Sequence, residues 1–309
     1  MLIISICLIF FGYLLGAKSS NIPKALVWRG FGNDCIFMDF GCNKEEIKYG
    51  AYDKEDLLKD SEKIAIDHYY FSWLDFDILD FQKKVENSKN KNRSLFITIE
   101  PWAKTRSKAN TLLKDITLGE YDTEIKKICT ELNNTDLNIE LSFAHEMDHD
   151  LTERYDWSGK DKTEFINAYR YFVTNCKKVA SEISYVWSPV GDKKALEYWP
   201  GEEFVDSVGF PVYSFPDFDI LYYDHARSFV ESTQEKYDRL ATLKKPMIIV
   251  EVGVAGDNER KTKWIKEMYE NINKFPLIKS MLFFNAVDHE GAWGKDLSTP
   301  DWRITKDLI

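Results

Sequence analysis

Short apolar runs alternate with longer amphipathic segments along most of the chain, and this alternation restricts the fold more than any other feature of the sequence. The runs at 25–29, 64–70, 94–99, 138–144, 184–187, 207–212, 247–250 and 280–284 are rich in β-branched and aromatic residues and read as strands. They are nearly continuous in apolar character, as parallel strands covered on both faces must be. The segments 78–87, 124–132, 162–181, 229–243 and 259–273 space their apolar residues at the helical period. Eight strands with intervening helices, without a repeat or a Pro/Gly/Ser-rich linker, predict an α/β fold, a (β/α)8 TIM barrel forming one domain. The rival open doubly wound sheet would carry a glycine-rich phosphate loop after its first strand, and none is present.

Residues 1–16 are almost wholly apolar and the first charge is Lys18. That run is short for a transmembrane helix and suits the apolar region of a secretory signal. The reading is a signal segment at 1–17 followed by a catalytic domain at 18–309, secreted or otherwise extracytoplasmic; an uncleaved membrane anchor is the rival. Beyond Cys7 in the leader lie Cys35, Cys42, Cys129 and Cys176, an even number for an oxidising compartment. Cys35 and Cys42 can close a small loop, and Cys129 and Cys176 fall on consecutive predicted helices where a bridge is geometrically feasible. Four buried free thiols are the alternative. The net charge of -10 disfavours nucleic acid, whose phosphates need a basic patch.

Active-site groups of such a barrel sit at the C-terminal ends of its strands. The fourth predicted strand runs Leu141-Ser142-Phe143-Ala144 directly into His145-Glu146, and the seventh, Met247-Ile248-Ile249-Val250, ends on Glu251. Ionisable groups that close an apolar strand are costly unless they are used or paired. Strands four and seven lie across the barrel from one another, so the two glutamates can meet over its mouth. Paired carboxyls of this kind suit glycoside hydrolysis, one protonating the leaving oxygen and the other attacking the anomeric carbon. Other strand ends carry groups fit for a sugar cleft: His68-Tyr69-Tyr70, Glu100-Pro101-Trp102, and Asn285 followed by Asp288, His289 and Trp293. Aromatic faces suit pyranose rings, and carboxylates and amides suit hydroxyls. His68, Trp102 and Asn285 are the substrate-binding candidates among these.

His145-Glu146-Met147, followed by Trp157-Ser158-Gly159, resembles the acid/base motif of glycoside hydrolase family 26, in which His precedes the acid/base glutamate. Gly119-Glu120-Tyr121-Asp122, Val186-Trp187-Ser188-Pro189, Tyr198-Trp199-Pro200-Gly201, Lys245-Pro246 through Glu251-Val252-Gly253, Phe283-Phe284-Asn285 and Asp301-Trp302-Arg303 extend the resemblance from about residue 90 onward. It implies a retaining endo-β-glycosidase with Glu146 as acid/base and Glu251 as nucleophile. It further implies that His145 orients the site, that Tyr213 hydrogen-bonds the nucleophile, and that Trp157 and Trp187 belong to the substrate site. The activities it implies are mainly β-1,4-mannan hydrolysis, with mixed-linkage β-glucan and β-1,3-xylan as further substrates. Asp148 and His149 depart from the Asn and Gly that commonly follow His-Glu-Met in the family, which bears on substrate identity.

The expected partner is a polysaccharide or oligosaccharide, acted on by a monomer with no cofactor and no metal; His145-Glu146 and His289-Glu290 lack a His-Glu-x-x-His spacing. The rival function is a non-catalytic carbohydrate-binding or exopolysaccharide-assembly protein on the same scaffold. A third, a lyase of phosphate-bearing ligands, would need a glycine-rich loop near strands seven and eight.

Overall fold

The computed structural model describes residues 46–149 and 154–309. Eight parallel strands close into a barrel in chain order: β1 (Lys48–Asp53), β2 (Ile64–Ser72), β3 (Ser94–Glu100), β4 (Ile139–Phe143), β5 (Ser184–Trp187), β6 (Ser207–Ser214), β7 (Met247–Val254) and β8 (Ile278–Asn285). Helices α1 (Ile78–Asn90), α2 (Leu112–Thr117), α3 (Asp122–Asn133), α4 (Lys162–Lys177), α5 (Pro216–Tyr223), α6 (Phe229–Ala241) and α7 (Asn258–Asn271) connect them. Closure leaves no sheet edge to protect.

Local chemistry starts the long helices where the sequence offers caps. Asp77, Asp161 and Asp257 each accept a first-turn backbone N–H, and Ser228 with Glu231 forms a reciprocal capping box at α6. Three packed regions result, the smallest formed by Phe215, Ala255 and Trp302. Ile66, Phe96, Val186, Ile248, Val250 and Leu282 fill the barrel interior, and a larger apolar layer lies between the strands and the helices.

Seven of the eight expected strands match barrel strands. The expected first strand, 25–29, lies outside the described residues, and Lys48–Asp53 takes that place in the barrel, hydrogen-bonded to β2 and β8. That segment reads weakly as a strand because it is short, charged at both ends and carries Gly50. Gly50 is required by packing: a Cβ there would lie 2.5 Å from Leu282 Cδ2 and 2.7 Å from the Ile66 carbonyl oxygen. The short helices α2 and α5 also went unanticipated.

Cys129 on α3 and Cys176 on α4 form a disulfide with Cα atoms 5.3 Å apart, so these two are not free thiols. Cys35, Cys42 and the apolar leader lie outside the described residues. Among the described residues, no helix is long and apolar enough to cross a membrane.

Candidate active site

A cleft of about 660 Å³ opens at the C-terminal mouth of the barrel, and both Glu146 and Glu251 line it. Neither arrives there by simple strand alternation. On β7, Ile248 and Val250 face the barrel interior, so strict alternation would turn Glu251 outward. The β6–β7 pairing instead runs Phe210 to Ile249 and then Pro211 to Glu251, a bulge at Val250 that resets the parity and aims Glu251 into the mouth.

Beyond β4 the backbone enters the left-handed region twice, at Ala144 (φ 53°) and Glu146 (φ 54°). For non-glycine residues this costs about 1–3 kcal/mol each and persists only where surrounding contacts enforce it. Here the Glu146 N–H donates to the Ser188 carbonyl at 2.7 Å, and Ser158 Oγ donates to the Glu146 carbonyl at 2.6 Å. Gly209 permits this approach, since a Cβ there would meet Ser188 Oγ at 2.5 Å.

Glu251 is held by two phenols. Tyr70 donates to its Oε1 at 2.5 Å and Tyr213 to its Oε2 at 2.6 Å. Tyr213, which follows the expected sixth strand 207–212, lies within β6; Tyr70, from β2, is an additional anchor. Glu146 lines the cleft, and its buried Oε2 has no hydrogen-bond partner among the described protein atoms. His145 lies beside it, its Nε2 sharing a hydrogen bond with the Tyr155 hydroxyl at 3.2 Å.

Burial alone would raise the Glu146 carboxyl, but the positive charge of Arg154, with His145, His149 and Lys236, holds it below the usual carboxylate range. Glu251 is pushed above that range by burial and by the charge of Glu146, against the opposing hydrogen bonds of Tyr213 and Tyr70. The two carboxyls therefore titrate as a unit that carries one proton over a span of pH. Tyr70 and Tyr213 are themselves raised well above the ordinary phenol value, by burial first and then by Glu251, so both remain donors.

Of the substrate-binding candidates, His145, Tyr213 and Trp102 line the cleft. Four others do not. His68 is buried beneath it, with Nε2 2.9 Å from Thr98 Oγ1 and its ring 4.3 Å from that of Tyr70; burial and then His145 hold it well below the ordinary histidine value. Trp157 is fully buried, donating its indole N–H to the His145 carbonyl at 2.6 Å while its ring stacks on Tyr155. Trp187 is also fully buried and packs against Trp199. Asn285 is consumed by structure, donating to Asp53 Oδ1 at 2.7 Å and accepting from the Ile304 N–H at 2.6 Å.

The structure adds Tyr52, Arg154, Tyr155, Asp192, Phe218, Arg227 and Lys236 to the lining, together with Glu100, Asp288, His289 and Trp293 from the strand ends noted above. Arg227 and Lys236 escape a strand-end search because they project from the loop before α6 and from α6 itself. Asp148, at a position that departs from the family pattern, is buried and grips a neighbouring loop. It accepts the N–H groups of Val190, Gly191 and Asp192 at 2.7, 3.1 and 3.1 Å.

Two buried carboxyls at the C-terminal mouth of a parallel barrel, one fixed by phenols and one with an oxygen left unpartnered, define the equipment of a barrel glycosidase. Residues 55–307 match the model of glycosyl hydrolase family 26, and the chain belongs to that family. It is 25% identical over 300 residues to Endoglucanase H of Acetivibrio thermocellus, an alignment that covers 87% of this chain. The chain spans only 30% of that relative's length. The fold is also that of GH26C from Muricauda sp. MAR_2010_75 (TM-score 0.61, 16% identity, covering 78% of this chain and 79% of that one). A GH26 beta-mannanase from Bacteroides ovatus shares it as well (TM-score 0.58, 14% identity, 85% and 84% covered).

Proposed function

We propose that this glycosidase is a retaining endo-β-glycosidase of a β-linked polysaccharide, β-1,4-mannan-like or mixed-linkage β-glucan, with Glu146 as acid/base and Glu251 as nucleophile. The observation that carries the reading is the division of labour in the cleft: both Glu251 oxygens accept from tyrosines, while Glu146, which also lines the cleft, keeps its Oε2 without a hydrogen-bond partner among the described protein atoms. A carboxylate fixed by two donors is aligned for attack and unable to rotate away. A cleft-lining carboxyl with an uncommitted oxygen can give its proton to a glycosidic oxygen.

In the first step Glu251 Oε attacks the anomeric carbon as the bond to the leaving oxygen breaks and Glu146 transfers its proton to that oxygen. In the second, Glu146 removes a proton from water, which displaces Glu251 and restores the proton to Glu146. The chemistry runs from the arrangement with the proton on Glu146. Burial and the charge of Glu146 favour the proton on Glu251, and the surrounding cations favour an ionised Glu146. Both arrangements belong to the singly protonated pair, and a glycosidic oxygen seated beside Glu146 selects the productive one.

Action outside the cytoplasm is part of the same proposal, supported by the apolar run at 1–16 and by the Cys129–Cys176 bridge. The test is product release from β-mannan, mixed-linkage β-glucan, cellulose and β-1,3-xylan, with Glu146→Ala and Glu251→Ala alongside, and NMR of the first-formed anomer. Glu251→Ala is expected to lose about 10⁴-fold or more. An inverted first product would overturn the mechanism. Binding to these polymers without cleavage of any of them would favour the non-catalytic rival.

A further inference from the structure

The rim of the cleft beside α5 carries a feature that the chemistry at Glu146 and Glu251 does not use. Four consecutive residues of this helix, Ile220, Leu221, Tyr222 and Tyr223, are 57%, 61%, 64% and 45% exposed. Consecutive helical residues point about 100° apart, so these four spread round the helix rather than over one face; Tyr222, with Leu221 beside it, forms the outward part and adjoins the cleft through Phe218.

The helix cannot turn to hide these side chains. Pro216 starts it, and Asp219, fully buried, locks it down by accepting from Ser214 Oγ at 2.9 Å and from the Arg227 N–H and Nε at 3.1 and 2.9 Å. Arg260 braces the same point through Ser214 Oγ at 2.6 Å. Asp224, left-handed at φ 64°, ends the helix abruptly.

The exposed surface is continuous with the cleft. Phe218 and Tyr223 line the cleft, the Phe218 ring lies 4.5 Å from that of Tyr222, and the Arg227 guanidinium sits 4.0 Å over Tyr223. A polymer acted on internally is longer than its cleft, so its flanking sugars must leave over the rim. A rigid aromatic surface offers such rings an apolar face at little entropic cost.

We propose that the outer surface of α5, centred on Leu221 and Tyr222, is a distal sugar-binding platform for the part of a β-linked polysaccharide chain that extends beyond the cleft. The proposal rests on the endo-β-glycosidase reading above. It makes α5 a determinant of preference for long chains over short ones.

The test compares wild type with Tyr222→Ala, Leu221→Ala and Tyr222→Phe on soluble β-mannan, mixed-linkage β-glucan and the corresponding trisaccharides. The expected result is a fall of about three- to tenfold in the polymer-to-trisaccharide ratio of kcat/KM for Tyr222→Ala, expressed in KM. Tyr222→Phe, which keeps the ring, should restore the wild-type ratio. An unchanged ratio in both alanine variants, with polymer cleavage intact, overturns the platform and leaves the parent reading standing. If that outcome is joined by a change in sedimentation from dimer to monomer, the surface belongs to a second copy of the chain. Failure of the wild type to cleave any polymer overturns the parent reading and the platform with it.

Discussion

The ring of Tyr213 lies so close to the backbone of Gly253 that a Cβ at that glycine would meet its Cδ1 and Cε1 at 2.7 Å. Gly253 thus clears the space from which the Tyr213 hydroxyl reaches Glu251 Oε2. Gly253→Ala should displace the ring and release one of the two donors on the carboxylate. Misplacement on the scale of an ångström can cost about 10²-fold, so kcat/KM should fall by about 10- to 100-fold. Tyr213→Phe should act similarly, and the double variant should be little worse than either alone, because both remove one contact. Wild-type kcat/KM in Gly253→Ala would sink the idea.

The Cys129–Cys176 bridge joins two helices across a separation of 47 residues. Chain-entropy reasoning assigns a loop of that size about 4 kcal/mol of stabilisation, chiefly by restricting the unfolded chain. The bridge lies on the helical layer, away from the mouth. Cys129→Ala with Cys176→Ala, or reduction of the wild type, should therefore lower the thermal midpoint by several degrees, with activity retained well below that midpoint. An unchanged midpoint on verified reduction would contradict the assignment.

Asp148 shows how a departure from the family pattern is absorbed by the fold. Its carboxyl, pushed up to about 6 chiefly by burial and further by Asp192, accepts three consecutive backbone N–H groups that pull it back down. Because the folded value lies above the unfolded one, the stability this group contributes is fully present below about pH 4 and is lost as pH rises through about 6. Asp148→Asn should remove that slope. An amide offers one acceptor oxygen and turns donors toward N–H groups, so it should also loosen the loop. Hydrogen exchange at Val190–Asp192 should accelerate about tenfold or more at neutral pH. Unaltered exchange at all three amides would refute the clamp.

The barrel was legible because its evidence is periodic and distributed: seven strands and five helices each repeat an apolar pattern. The catalytic pair was legible because a carboxylate that ends an apolar strand stands out. How the two glutamates are aimed was not. Alternation on β7 points Glu251 outward, and only the bulge at Val250 reverses it; a bulge is set by pairing between strands and leaves little trace in one strand's sequence. The left-handed turn at Glu146 is likewise held by Ser158 and Ser188, and that at Ala144 by the Ile99 carbonyl of β3, all distant in sequence. Tryptophans gave the weakest guide. Trp157 and Trp187 carry the residue type of a sugar platform, but both are core, whereas the exposed platform residues on α5 lie in a short helix without an amphipathic period. Asn285 ends β8, yet its hydrogen bonds are satisfied inside the protein, and His68 lies mid-strand in β2, buried beneath the cleft with Nε2 on Thr98.

Arg154 is the first among the charges that hold Glu146 down, and it lines the cleft with its guanidinium 5.3 Å from the centre of the Tyr155 ring. Its field reaches Glu251 as well, since the two groups interact electrostatically. A cation beside two carboxyls stabilises the ionised form of each, so its removal raises both. Arg154→Met should therefore move the whole pH profile of kcat/KM toward higher pH, both the acid limb, set by the loss of the first proton, and the alkaline limb, set by the loss of the second. Arg154→Lys should leave the limbs near their wild-type positions, because the charge is kept while the planar fork is lost. A change in the height of the profile with both limbs fixed would mean that Arg154 serves substrate contact alone, and a shift to lower pH would reverse the sign on which the electrostatic assignment depends.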